Sequence, residues 1–331
     1  MSELHKFLFD GLPVRGAMVR LTDAWTELLR RRAGNSETGP YPAPVAELLG
    51  EMAAAGVLMQ SHIKFNGALV LQIFGDGPVK LAVAEVRSNL ALRATATISS
   101  ANGPLDASAH LPELVNVQGQ GRCAITLDPQ DRLPGQQPYQ GVVPLNDAQG
   151  HKLTQLSDML MQYMRQSEQL DATLVLAAND QVAAGLLIQR MPVQGQGNLA
   201  GGGLASDEAR AQEDEDYRRI ALLAASLTRE ELLTLDPPTL LHRLFWEEKL
   251  LRFEPQQGAT GPHFACTCSR QRVATMLRSL GQPEVQSIID ERASVEVGCD
   301  FCGRQYQFDK VDAAQLFTEP DKQPPAPRGM Q

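Results

Sequence analysis

Four of the five cysteines stand in two close pairs, Cys266-Thr267-Cys268 and Cys299-Asp300-Phe301-Cys302, separated by the thirty residues from Ser269 to Gly298. A tetrahedral zinc ion accepts four thiolates, and two short-spaced pairs brought together by folding supply that geometry. The expected cofactor is therefore one zinc ion held by Cys266, Cys268, Cys299 and Cys302. The second pair has the spacing that lets both sulfurs face one point, and Gly303 gives the permissive backbone a tight turn needs. The first pair has a single intervening residue, an uncommon spacing in purely structural zinc modules. His263 beside it could replace a cysteine, but four sulfurs already satisfy the ion.

A cysteine-bearing unit of about fifty residues is near the limit where an apolar core alone suffices, so zinc binding, of order 10 kcal/mol in small zinc peptides, supplies much of its folding energy. Metal-bound thiolates stay nucleophilic toward oxidants, and each close pair can collapse into a short-loop disulfide that no longer binds zinc. Oxidation and unfolding would then be one event. The plainer reading is a zinc site that only holds the small unit together.

Compartment follows from the same residues. No apolar stretch reaches the roughly 18 to 20 residues of a membrane span, and Met1-Ser2-Glu3-Leu4-His5-Lys6 does not open a signal peptide, so the cytoplasm is expected. There grouped cysteines point to metal or redox chemistry rather than a disulfide framework. The net charge of -9 repels phosphate backbones, and neither nucleic acid nor membrane is an expected partner.

Along the chain, residues 1–193 read as an α+β core domain built on mixed sheet. Asn66-Gly67, flanked by apolar runs, predicts a hairpin joining His62–Phe65 to Ala68–Phe74. Gly75-Asp76-Gly77-Pro78 then turns into a strand from Val79 to Val86. Leu153, Leu156, Leu160, Tyr163 and Met164 mark an amphipathic helix, and Thr173–Ala177 and Ala183–Gln189 read as paired strands around Asn179-Asp180. Residues 194–255 read as a connector and helical linker. The glycines and acidic run between Gln194 and Asp216 look mobile, and helix resumes at Tyr217 with Ile220, Leu223, Ala224 and Leu227 on one stripe. A second linker helix opens at Asp236-Pro237, where the Asp caps the amides, with Leu240, Leu241, Leu244, Phe245 and Leu251 sharing a face. Residues 256–319 form the four-cysteine domain and 320–331 a disordered tail.

Other signals are weak. Gly195-Gln196-Gly197-Asn198-Leu199-Ala200 matches a loose dinucleotide pattern, but glycines and acids follow it instead of a helix. None of the six histidines has a local spacing that singles out a base, so no enzyme is expected. Cys123 alternates with Ile125 and Leu127 and should point inward as a small hydrophobe.

With these residues in view, the sequence resembles the redox-regulated 33 kDa heat-shock chaperone family along almost its whole length. The resemblance runs from Val14-Arg15-Gly16 through Gly75-Asp76-Gly77-Pro78, Tyr139-Gln140-Gly141-Val142-Val143-Pro144-Leu145 and Arg243-Leu244-Phe245-Trp246-Glu247-Glu248. It continues through Cys266-Thr267-Cys268-Ser269-Arg270 and Cys299-Asp300-Phe301-Cys302 to Leu316-Phe317. The glycine-rich and acidic stretch from Gly195 to Asp216 looks longer than the family's usual connector.

The resemblance implies an ATP-independent holdase that is inactive while reduced and zinc-bound. Hypochlorous acid, or peroxide with heat, would link Cys266 to Cys268 and Cys299 to Cys302, release zinc, unfold the switch domain and linker, and expose apolar surface to unfolding client proteins. It further implies homodimers when oxidised and transfer of clients to ATP-driven chaperones. The Leu-rich linker stripes, Leu240, Leu241, Leu244 and Phe245, are the expected client surface, packed away in the reduced state. The competing reading is a zinc-stabilised binding module for a protein or nucleic-acid partner without a redox switch.

Overall fold

The structure is a computed structural model that describes residues 1–35, 38–99, 105–132, 135–191 and 207–318. The expected mobile connector before 207, with the Gly195–Ala200 pattern, and the expected tail lie outside the described residues.

Alternating apolar residues near the N-terminus form the antiparallel strands β1 (Glu3–Phe9) and β2 (Val14–Leu21), and helices α1 (Asp23–Ala33) and α2 (Ala43–His62) follow. Next come β3 (Gly67–Phe74), β4 (Val79–Arg87), β5 (Ala91–Ile98), α3 (Leu111–Val115), β6 (Arg122–Pro129), β7 (Tyr139–Pro144) and α4 (Leu156–Ser167). The hairpin of β8 (Ala172–Ala178) and β9 (Ala183–Arg190) precedes three linker helices, α5 (Asp207–Ala225), α6 (Arg229–Thr234) and α7 (Pro237–Phe245). Three short strands follow, β10 (Leu250–Arg252), β11 (Gln256–Gln257) and β12 (His263–Phe264). The chain then forms α8 (Arg270–Leu280), α9 (Gln282–Arg292), the hairpin β13 (Ser294–Gly298) and β14 (Gln305–Asp309), and α10 (Lys310–Leu316).

One sheet has the order β10-β1-β2-β9-β8, with β11 also paired to β1; the other has the order β12-β5-β4-β3-β6-β7. All pairings are antiparallel except that of β12 with β5. This is an α+β architecture. Helix α2 touches strands of both sheets, and apart from Glu47 and Glu51 every residue from Pro44 to Gln60 is buried. A helix apolar on nearly all sides is a core element. Two of its glycines set how closely the sheets approach: a Cβ at Gly50 would lie 2.5 Å from the Ala178 Cβ, and one at Gly56 would lie 2.8 Å from Val86 Cγ2. Gly56→Val is therefore expected to cost about 1–3 kcal/mol by overpacking. Urea denaturation followed by a probe in the N-terminal unit checks it, and an unchanged midpoint would mean that the helix and sheet are not in close contact there.

The sequence expectations for α4 and for the β8–β9 hairpin match these elements. The Asn66-Gly67 hairpin does not form. Good helix formers carry α2 through His62, so no strand precedes Asn66, and Gly67 instead opens β3, where a Cβ would sit 2.2 Å from the Asp128 carbonyl oxygen. β3 pairs with β4 across Gly75–Pro78. Leu251 also leaves its expected place: it lies on β10 opposite Leu8 and is exposed. The acidic run from Asp207 to Asp216 is the first half of α5, tied to β9 where Arg190 meets Asp214 at 2.5 Å.

Alternation along the first sheet divides its side chains between two cores. Leu4, Ala17, Val19, Ala183 and Leu187 join α2 in the central core. Phe7, Phe9, Met18, Leu186 and Ile188 face the other way and pack against Ile220, Ala224 and Leu227 of the α5 region, Leu232, and Leu240, Leu241, Leu244 and Phe245 of α7. The Phe245 ring stands edge-on to Phe9, centroids 5.1 Å apart.

The chain divides into two compact units after Ala265, ten residues beyond the expected start of the cysteine domain at 256. The reason is that β11 and β12 pair with β1 and β5. The second unit has its own small core of Ala274, Leu277, Val285, Ile289, Val295, Tyr306, Phe308 and Ala313.

Candidate metal centre

The β13–β14 hairpin presents the second cysteine pair. Its turn is closed by hydrogen bonds from the Cys299 N–H to the Arg304 carbonyl (3.0 Å) and from the Gly303 N–H to the Cys299 carbonyl (2.8 Å). Gly303 has φ +69°, a left-handed conformation that glycine adopts without steric cost. The first pair lies just ahead of α8, where the Ser269 hydroxyl caps the helix by accepting from the Arg272 N–H at 3.2 Å. Arg272 also donates to the Thr267 hydroxyl at 2.7 Å, bracing the residue between Cys266 and Cys268. Below the turn, the Arg270 guanidinium lies over the Phe308 ring at 4.2 Å and pairs with Asp312 at 2.6 Å.

These elements converge the four sulfurs. Cys266 Sγ is 3.7 Å from Cys299 Sγ, Cys268 Sγ is 3.3 Å from Cys302 Sγ, and all four lie within 4.8 Å of one another. Bonds of about 2.3 Å from a zinc ion to four thiolates place sulfurs roughly 3.8 Å apart, so the set fits such an ion.

The electrostatics fit as well. Burial pushes the Cys299 and Cys302 thiols up. At Cys268 burial acts in the same direction, but hydrogen bonds from Tyr306 and the neighbouring thiols outweigh it and bring the thiol down to about 7. Four sulfurs this close cannot all ionise without a compensating cation, which a divalent ion provides. Sequence reasoning missed two residues beside them. The Tyr306 hydroxyl donates to Cys268 Sγ at 3.1 Å, and the nearby Tyr306 hydroxyl and cysteine sulfurs push the Arg304 guanidinium up. Period-two burial along β14, where Tyr306 and Phe308 point inward, was the available signal for the tyrosine.

A family model described as Hsp33 protein matches residues 2–309. The chain belongs to the Hsp33 family. It is 43% identical over 316 residues to the 33 kDa chaperonin of Chromobacterium violaceum, a match covering 96% of this chain and 94% of that one. The 33 kDa chaperonin of Methylobacillus flagellatus is 39% identical over 318 residues, with 96% and 94% covered. Among solved structures, the 33 kDa chaperonin (heat shock protein 33 homolog) of Thermotoga maritima superposes with a TM-score of 0.70 at 20% identity, covering 95% of this chain and 97% of that one. That likeness concerns the fold.

The other residues singled out in the sequence of this Hsp33 family member lie elsewhere. His263 belongs to β12, its Nδ1 3.0 Å from the Gly261 carbonyl oxygen, and it is not in the four-cysteine group. Cys123 is fully buried in the central core, and burial pushes its thiol up to about 12, which leaves it unreactive. Leu240, Leu241, Leu244 and Phe245 are all buried, at 1 to 3% exposure. No helix among the described residues is long and apolar enough to cross a membrane.

Proposed function

We propose that this chain is a redox-regulated, ATP-independent holdase, inactive when reduced and zinc-bound and active when oxidised. The observation that carries the proposal is the convergence of four cysteine sulfurs within 4.8 Å in a chain of the Hsp33 family. Zinc, when bound, supplies the positive charge that keeps the four sulfurs as thiolates and closes the small unit around them.

Oxidation removes the ligand set. Hypochlorous acid transfers chlorine to one thiolate sulfur, releasing hydroxide, and a second thiolate attacks that sulfur and expels chloride. Two thiolates thereby lose two electrons and become a disulfide. The expected bonds are Cys266–Cys268 and Cys299–Cys302, which peptide mapping of the oxidised protein distinguishes from the cross-pair alternatives.

The linker is held in ways that local disorder can undo. Between α7 and Cys266 the chain pairs with the sheets through the short strands β10, β11 and β12. The Arg20 guanidinium donates to the carbonyl oxygens of Leu232, Leu233 and Leu235 at 2.8 to 3.1 Å, and Arg219 pairs with Glu248 at 2.9 Å. Once α5–α7 leave, their stripes and the sheet face beneath them are exposed together, an apolar area of the kind that binds other chains. Unfolding client proteins are the partners of that surface. The oxidised protein acts as a homodimer, passes clients to ATP-driven chaperones after reduction, and works in the cytoplasm, where thiols start reduced.

The test treats the metal-loaded protein with hypochlorous acid and follows metal release, free thiols and suppression of a client's aggregation together. All three are expected to change in step. Metal loss without a gain in holdase activity would refute the switch, and full target affinity in the reduced protein would favour a static zinc-stabilised module.

A further inference from the structure

We infer that Tyr306 is a positioning residue that restrains Cys268, and that its hydroxyl sets how readily this sulfur is attacked by electrophiles. The inference rests on the proposed metal-thiolate reading and concerns the regulation of that site. Its basis is geometric. Tyr306 belongs to the small core with Leu277, Val295 and Phe308, and its hydroxyl donates to Cys268 Sγ at 3.1 Å. β14 fixes the ring through the pairing of Tyr306 with Val297. Arg304, exposed two residues earlier, adds positive charge near the phenol, which polarises the O–H and favours its donation to sulfur.

An electrophile attacks through a sulfur lone pair. A hydrogen bond into that lone pair lowers its energy and with it the nucleophilicity of the thiolate, while the groups around a metal ligand also fix its orientation. Cys268 has a short approach to Cys302 as well, at 3.3 Å. Its restraint therefore bears on the first pair, whose one-residue spacing sets it apart. Tyr306 and Arg304 act together as a brake on the switch, holding it closed against low oxidant.

The test uses the full chain loaded with cobalt(II) or zinc, and two variants, Tyr306→Phe and Arg304→Gln. Phenylalanine keeps the buried ring and removes only the donor; the Arg304 change is on the surface and carries the test if the first variant folds poorly. Loss of the donor raises the sulfur lone pair, so the sulfur-to-cobalt charge-transfer band is expected to move to lower energy. Iodoacetamide, which forms an S–C bond and expels iodide, is expected to label Cys268 about 3- to 10-fold faster in Tyr306→Phe, with Cys299 unchanged and a smaller effect in Arg304→Gln. An unmoved band with unaltered Cys268 labelling would overturn the inference. Equal acceleration at all four cysteines would overturn it too, since that reports loosened packing. Both readouts are independent of disulfide formation. If the parent protein formed no disulfides with hypochlorous acid, the redox reading would fail while the role of Tyr306 was still being measured.

Discussion

Phe245→Asp should turn the reduced, metal-loaded protein into an active holdase without any oxidant. Phe245 is 2% exposed and sits edge-on to Phe9, with Phe7 at 6.2 Å between centroids. Truncating a buried aromatic costs about 3–5 kcal/mol, and a carboxylate in the same place adds the penalty of an unpaired buried charge. That exceeds what a few short strands and exposed ion pairs can offset, because such pairs are individually worth about 0–1 kcal/mol. The linker helices should therefore undock while the cysteine unit keeps its ion. Amide exchange should rise across α5–α7 and stay unchanged in α8–α10, and light scattering of a thermally unfolding client should fall at stoichiometric chaperone. If exchange showed the linker open and the client still aggregated, the α7 stripe and the sheet face beneath it would not be the client surface.

The second large effect is expected from metal removal. The core of the cysteine unit is eight buried residues, two of them alanines, and a core of that size contributes only a few kcal/mol after chain entropy. Zinc binding at four-cysteine sites contributes about 10–16 kcal/mol. A strong chelator should accordingly unfold Cys266–Thr318 as one event, with loss of helix signal from α8–α10 proportional to metal released. Cys302→Ser should do the same without chelator, since Cys302 is buried and its loss leaves three sulfurs. Retained amide protection in α8 and α9 after complete chelation would mean that the unit folds through its apolar core, and the coupling between oxidation and unfolding would be lost with it.

Some of this was legible in the residues alone. The grouping of Cys266, Cys268, Cys299 and Cys302 as a candidate metal site could be read because such a site demands a residue type and a spacing that are local in the chain. Helix α4 and the α7 cap were legible for the same reason: Asp236 accepts from the Thr239 N–H at 3.0 Å, three residues on, and the burial of Leu156, Leu160 and Tyr163 follows a helical period.

What the tertiary structure decided is where faces and partners meet. Helix α2 has only Glu47 and Glu51 as a narrow polar edge to reveal its period, and its position between two sheets explains why it runs on to His62 and displaces the Asn66-Gly67 turn. The acidic start of α5 reads as a loop until Arg190, a distant residue, supplies its counter-charge. The Leu-rich stripe of α7 announces that it is buried somewhere, yet nothing within it names Phe7 and Phe9 as the surface it covers. At the candidate metal centre, four cysteines in two close pairs are enough to suggest a metal site, but Tyr306 reaches Cys268 across 38 residues. A hydrogen bond of that kind depends on where a hairpin sets a ring, and spacing along the chain carries no record of it.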